Sequence, residues 1–256
     1  MRVIILGCGT SGGVPRIGGK DGAGEWGACN PANPRNRRRR CSILVQDQGK
    51  SILVDTSPDL RDQLIDARVT RIDAVLWTHD HADQTHGIDD LRALTLRHGP
   101  VEGWGDPRTL GILKERFGYC FETARGSIYT ALYRACLIDG PFEAAGIAVT
   151  PFYQHHGSIM SLGFRFGPIA YANDVVKLDE AAFAAMAGVD TLVVDAMRYT
   201  PHPTHAHLDL TLTWIERIRP RRAVLTNMHV DLDYDELRRR LPPHVEPAYD
   251  GMVIEA

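Results

Sequence analysis

Nine consecutive positions, Thr78-His79-Asp80-His81-Ala82-Asp83-Gln84-Thr85-His86, hold three histidines and two aspartates. They follow directly on the apolar run 74–77. Alternate residues of an extended segment point to the same side. His79, His81 and Asp83 can therefore converge as the strand runs out. Two imidazoles and a carboxylate are borderline ligands that suit zinc, manganese or iron. The competing reading is a hydrophilic loop that happens to be rich in histidine. The same residue types recur in the second half: Gln154-His155-His156-Gly157, Asn173-Asp174, Asp195, the run His202-Pro203-Thr204-His205-Ala206-His207, and Asn227-Met228-His229.

These side chains need strands and helices to carry them. Strands are expected at 2–6, 41–46, 51–54, 147–153, 161–166, 169–171, 191–194, 223–226 and 252–254. Helices are expected from Ser57-Pro58-Asp59 to about 67, from 87 to about 97, and over 109–117, 179–187, 208–218 and 234–240. Asp47-Gln48-Gly49-Lys50 reads as a hairpin turn. Most of the candidate polar groups fall at strand ends, where α/β folds place their sites. Periodicity by itself indicates only a mixed α/β chain. Residues 98–146 read least clearly and are compatible with a lid or substrate-facing insertion.

The glycine-rich stretch 7–13 matches G-x-G-x-x-G. That pattern serves a dinucleotide only when a helix begins within it. Val14-Pro15 and the later glycines exclude such a helix, so a tight turn bordering the site is expected. The run Arg35-Asn36-Arg37-Arg38-Arg39-Arg40 could meet phosphate. An edge-strand face with alternating arginines is the preferred reading.

The 256 residues suffice for a single domain with a sizeable core. A net charge of −3 makes no case for a polyanionic or membrane-surface partner. No apolar run approaches the roughly 20 residues of a membrane span. The N-terminal segment reads as a strand, and the five scattered cysteines as free thiols, so a cytoplasmic location is expected.

His79-x-His81-x-Asp83 after a strand and a threonine resembles the signature of the metallo-β-lactamase superfamily. Within it, the chain is most similar to the branch of PhnP-type phosphoribosyl cyclic phosphodiesterases and tRNA 3′-end endonucleases. Gly7-x-Gly9-x-x-Gly12-x-x-Pro15, Trp26-Gly27-x-Cys29, Cys41-Ser42, His207-x-Asp209-Leu210 and Tyr249-Asp250-Gly251-Met252 carry that likeness. The resemblance implies a four-layer αββα sandwich with the metal at one edge between the sheets. It implies His79, His81, His156 and Asp174 at a first metal. A second would use Asp83, Asp174 and two positions, usually histidine, that are Gln84 and Asn227 here. An amide oxygen is a weaker zinc ligand than imidazole, so either His229 or His86 swings in, with His229 preferred, or the second ion is weak or absent. The cofactor expected is one or two divalent ions, zinc or manganese. Only Cys29 remains of the branch's clustered cysteines, so no structural zinc is expected.

The activity implied is hydrolysis of a small cyclic or nucleotide-like phosphodiester. A metal brings the pKa of bound water from about 15.7 to about 7. Asp83 would orient that water, and His207, or else His205, would protonate the leaving oxygen. Asp55 and Asp195 are expected to support the ligands. Two other roles compete: a degenerate site that only binds a nucleotide or metabolite, and a tRNA-processing endonuclease, which would need a basic arm not visible here. The partner expected is a small phosphodiester, with neither membrane nor nucleic acid, and a homodimer is compatible with the sequence.

Overall fold

The structure is a computed structural model and describes residues 1–256. The first half of the chain supplies β1 (Arg2–Gly7), β2 (Ser42–Asp47), β3 (Lys50–Val54), α1 (Leu60–Asp66), β4 (Ala74–Leu76), α2 (Ala82–Thr85), α3 (Arg92–His98), β5 (Val101–Gly105), α4 (Pro107–Phe121) and β6 (Tyr133–Leu137). The second half supplies β7 (Phe142–Ala144), β8 (Ile147–His156), β9 (Ile159–Phe166), β10 (Ile169–Ala172), α5 (Glu180–Ala185), β11 (Thr191–Asp195), α6 (Leu208–Ile218), β12 (Arg222–Thr226), α7 (Tyr234–Arg240) and β13 (Val245–Pro247). A last strand, β14 (Val253–Glu255), returns to pair with β1.

Two seven-stranded sheets result, ordered β14-β1-β2-β3-β4-β5-β6 and β13-β12-β11-β10-β9-β8-β7. In each, antiparallel hairpin strands give way to parallel strands: from β3 to β6 in the first sheet and from β10 to β13 in the second. The apolar alternation explains the layering. Val3 and Ile5 point into the large core shared by the two sheets, whereas Ile4 and Leu6 point into a second core under α1 and α4. Both faces of β1 are thus buried, which is why it reads as an unbroken apolar run. On the far side, Ala182 of α5, Trp214 of α6 and Leu237 of α7 pack onto the second sheet. The four layers are helix, sheet, sheet, helix, as expected.

The helices follow their sequence signals. In α6, Leu208, Thr211, Trp214 and Ile215 recur at helical spacing and are buried. In α7, the Asp233 side chain accepts from the Glu236 backbone N–H. Acidic residues fill its first turn and three arginines its last, matching the helix dipole. At the start of α1, Ser57 Oγ accepts from the Asp59 backbone N–H, and Asp59 itself turns away. Its carboxylate meets the Arg40 backbone N–H and guanidinium instead of capping α1.

Residues 98–146 are built into both sheets. β5 and β6 complete the first sheet, β7 edges the second, and Cys120 and Phe121 of α4 lie in the second core. Its strands are short, and Gly103 and Gly105 break the apolar alternation of β5. Only residues 122–130 form an exposed excursion.

The glycine stretch is a turn, with no helix following it. A Cβ on Gly7 would sit 2.0 Å from the Arg40 carbonyl oxygen, so the close approach of two backbone segments requires glycine there. The arginine run alternates as an edge does. Arg38 is buried and donates to the carbonyls of Leu232 and His229, while Arg35 and Arg37 face outward.

Asp250 ties the chain's end to this region by accepting from the backbone N–H groups of Cys8 (3.2 Å) and Arg39 (2.8 Å). Burial raises its carboxyl from 3.8 to about 7, against the opposing effect of those donors and the Arg39 charge. Between those two values the folded state holds the proton and the unfolded chain releases it. Stability from this group is therefore greatest below pH 3.8 and falls as pH rises towards 7. Asp250→Asn removes that titration. Denaturant melts at pH 4 and pH 7 are expected to show the wild type losing about 1–3 kcal/mol more than the variant across the window.

Candidate metal centre

Parallel strands open the site because each runs out at the same edge and hands the chain to a polar turn. β3 ends before Asp55, β10 before Asn173-Asp174, β11 in Asp195 and β12 before Asn227. Asp55, Asp174 and Asn227 all take φ near +60° (63°, 55° and 59°). Asp and Asn tolerate this left-handed conformation better than other side-chain-bearing residues. The turn bends the backbone sharply where the strand stops and leaves the side chain in the site.

His79, His81 and His156 form one cluster. Their ring centroids lie 4.6–5.0 Å apart, and one ligand nitrogen of each falls within 4.8 Å of the others. The strand argument for this stretch holds only in part. β4 stops at Leu76, and α2 begins one residue past His81. Asp83 therefore lies on a helical turn, not on an alternating strand, and its carboxylate faces Gln84 Nε2 at 3.3 Å. Asp83 is outside the three-histidine cluster.

Each buried imidazole is held by its far nitrogen. Thr78 Oγ1 donates to Asp55 (2.9 Å) and so accepts from His79 Nδ1 (2.9 Å). His156 Nδ1 donates to the Thr204 carbonyl (2.8 Å). Gly157 makes that contact possible, since a Cβ there would meet Thr204 Cγ2 at 2.5 Å. His79 Nε2 is left buried with no partner, and His156 Nε2 faces His81 Nδ1 at 3.2 Å. Such bonds fix the tautomer that leaves a lone pair free.

The electrostatics agree. Burial, then the neighbouring histidines, pushes His79 well below its usual range, and burial with His205 brings His156 down to about 4. Burial pushes the Asp174 carboxyl up. Neutral imidazoles with free lone pairs beside a buried carboxylate are a donor set that fits a divalent transition metal. Asp174 Oδ1 lies 4.0 Å from His156 Nε2, at the border of that set.

A second cluster adjoins the first: His156, Asp174 and His205. His205 Nδ1 lies 3.0 Å from Asp195 Oδ2 and 3.6 Å from Asp174 Oδ1. Burial alone would lower its pKa, but Asp195, Asp174 and Asp83 outweigh burial and raise it to about 9. Sequence reasoning ranked His205 behind His207. In the structure, only His205 of the two has a carboxylate bonded to its ring. His207 is the N-cap residue of α6, and its imidazole makes no hydrogen bond or ring contact with either cluster. Its carbonyl accepts from Thr211 instead.

His229 does not rebuild a ligand set. Arg16 holds its Nε2 at 3.1 Å, and Asp231 lies 3.2 Å from its Nδ1. His86 also stays out, edge-on to Phe117 at 5.6 Å. Gln84 and Asn227 reach the site with amide nitrogens turned to carboxylates: Gln84 Nε2 to Asp174 Oδ2 (3.0 Å), and Asn227 Nδ2 to Asp195 Oδ2 (3.2 Å) and Asp174 Oδ1 (3.4 Å). Sequence reasoning missed Thr78 and Thr204 as supports. The pairing of Thr78 with a strand-end aspartate was the available signal for the first, while a backbone carbonyl such as that of Thr204 leaves none.

A cleft of about 500 Å³ borders the cluster, lined by Asp80, His81, Ala82, His86, Arg116 and Phe117. Arg116 donates to the Asp80 carbonyl (2.7 Å), and Arg108 pairs with the Asp80 carboxylate (3.2 Å), so α4 braces the histidine loop. A concavity of about 470 Å³ on another face includes Arg2, Arg39 and Arg68 but none of the cluster residues.

Residues 50–228 match the family described as the beta-lactamase superfamily domain. That match, together with the histidine cluster at the sheet edge, decides the family. The chain belongs to the beta-lactamase superfamily. On its PhnP branch, the crystal structure of a diphosphatase of the PhnP family superposes with a TM-score of 0.90 at 33% identity, covering 100% of this chain and 97% of that one. Zinc-bound PqqB from Methylobacterium extorquens shares the fold, with a TM-score of 0.77 at 20% identity and full coverage of both chains. An octanoyltransferase of Porphyromonas gingivalis is 33% identical over 98% of this chain, which spans only 51% of that protein. No helix in this member of the superfamily is long and apolar enough to cross a membrane, and all five cysteines are free.

Support of the ligands can be tested apart from the ligands themselves. Thr78→Val keeps the shape but cuts the link from Asp55 to His79. Metal affinity, measured by competition with a chromogenic chelator, is expected to fall about 10- to 100-fold.

Proposed function

We propose that the chain is a metal-dependent hydrolase that cleaves a phosphodiester or diphosphate link in a small nucleotide-like substrate. The observation that carries this reading is the three-histidine cluster with the His205–Asp195 pair beside it. The PhnP-family likeness supports the same chemistry. A divalent ion held by His79, His81, His156 and Asp174 would supply Lewis-acid stabilisation of charge developing on the phosphoryl oxygens. The protein's own groups do the rest. Asp195 fixes His205 by its Nδ1 and leaves Nε2 without a protein partner. From there His205 holds a proton for the leaving oxygen. Arg116 sets a positive charge in the cleft next to His81, where an anionic substrate enters.

A polynucleotide substrate finds less support. Arg38 is buried, Arg39 and Arg40 pair with Asp66 and Asp59, and Arg35 stacks on Tyr234 and Tyr249. The basic run is thus largely engaged within the fold. Acyl transfer finds no reactive thiol at Cys8 or Cys41. Cys8 and Cys41 are buried, and burial pushes both thiols well above their usual range. The octanoyltransferase name belongs to a protein about twice as long as the matched region.

The test is an assay of metal-free protein reloaded with zinc or manganese, against bis(p-nitrophenyl) phosphate and a nucleoside diphosphate ester. Turnover should require the metal, stop with chelator and return on reloading. Ligand binding without turnover under either metal would favour a binding protein instead.

A further inference from the structure

The two oxygens of Asp174 have different surroundings. Oδ1 faces the histidines, at 4.0 Å from His156 Nε2 and 3.6 Å from His205 Nδ1, with one long contact to Asn227 Nδ2 at 3.4 Å. Oδ2 is tied off. It accepts from Gln84 Nε2 at 3.0 Å and from Asn173 Nδ2 at 2.6 Å. Dinuclear hydrolytic sites hold their ions about 3.5–4 Å apart. A carboxylate bridging such a pair offers one oxygen to each ion, and here the second oxygen is already committed to amide donors.

Gln84 does more than fill a coordination position. Its amide NH2 lies between Asp83 Oδ2 (3.3 Å) and Asp174 Oδ2 (3.0 Å), joining two carboxylates as a cation would. Its carbonyl oxygen is buried without a partner. Asn227 acts in the same way on the other side, between Asp174 and Asp195. The remaining donors are also committed. His205 Nδ1 faces Asp195, and Arg16 holds His229 Nε2.

We propose that this centre holds one divalent ion, on His79, His81, His156 and Asp174 Oδ1. Amide N–H donors from Gln84, Asn173 and Asn227 occupy the space and the carboxylate lone pairs that a second ion would need. The inference rests on the site being a metal centre, as the proposed hydrolase requires. It assigns Gln84 and Asn173, which hold Oδ2, as positioning residues that turn Asp174 into a one-sided ligand, with Asn227 filling the space towards Asp195.

The experiment is equilibrium dialysis of the whole chain against manganese, with bound metal counted by elemental analysis and its environment read by electron paramagnetic resonance. About one ion per chain, with the six-line signal of an isolated ion, is the expected result. Two ions, or a spin-coupled spectrum, overturn the inference while leaving the hydrolase reading intact. No bound ion overturns both. One ion without turnover on any phosphate ester supports the inference and overturns the function. The double variant Gln84→His with Asn227→His should bind a second ion. If it stays at one while its circular dichroism is native, the amides are not what excludes the second. If it does not fold, the wild-type count and spectrum decide.

Discussion

Replacing His156 with alanine is expected to lower metal affinity by more than about 100-fold and to take hydrolysis with it, since even a residue that merely supports a ligand costs about 10- to 100-fold. His156 belongs to both clusters, 5.0 Å between ring centroids from His79 and from His81, and 4.8 Å from His205. Its removal leaves two imidazoles that β4 and the following turn place side by side, with nothing from the second sheet but Asp174 to close the site. The ring is bonded to a backbone carbonyl, so its loss also frees the 202–207 loop from β8. Bound metal after dialysis and initial rates on the same folded preparation check the effect. Full metal content in the variant would place the centre elsewhere.

His205→Ala should cost about 10²- to 10⁴-fold in turnover, the range for removing a general acid. His207→Ala should stay within a few fold. The two residues sit two positions apart, yet only His205 has an aspartate, Asp195, bonded to its ring. The fall should appear in kcat with substrates that have poor leaving groups. It should shrink with p-nitrophenolate, which needs no proton. A loss at His207 as large as at His205 would reject this assignment. Asp195→Asn should lose less than His205→Ala, because the imidazole stays in place without its anchor.

The sequence by itself determined the family-level answer. His79 and His81 are two apart after a buried strand, and in the other half His156 ends β8 and Asp174 lies just past the end of β10. Strand ends at one edge of parallel sheets are a short list of places, so residues able to ligate a metal and found there were legible as a set. The apolar runs of β1, β11 and β12 and the periodicity of α6 and α7 also showed which elements carry them. The sandwich followed from a resemblance, because alternation states that a face is buried and not which sheet buries it.

Tertiary structure alone decided the direction of each side chain. Asp83 left the predicted alternation because a helical turn begins at Ala82. His229 stood two residues from Asn227, but Arg16, more than two hundred positions away in the chain, holds it outside. His205 and His207 are alike in sequence, and only the return of β11 beneath them gave one of them Asp195. The amides of Gln84 and Asn227 read as weak ligands from composition. In the fold, their nitrogens meet Asp174 from two elements far apart in the chain, and they act as donors. Spacing along a strand or helix is fixed by local backbone geometry. A hydrogen bond between distant segments depends on how sheets and loops pack, and no short stretch of sequence encodes that.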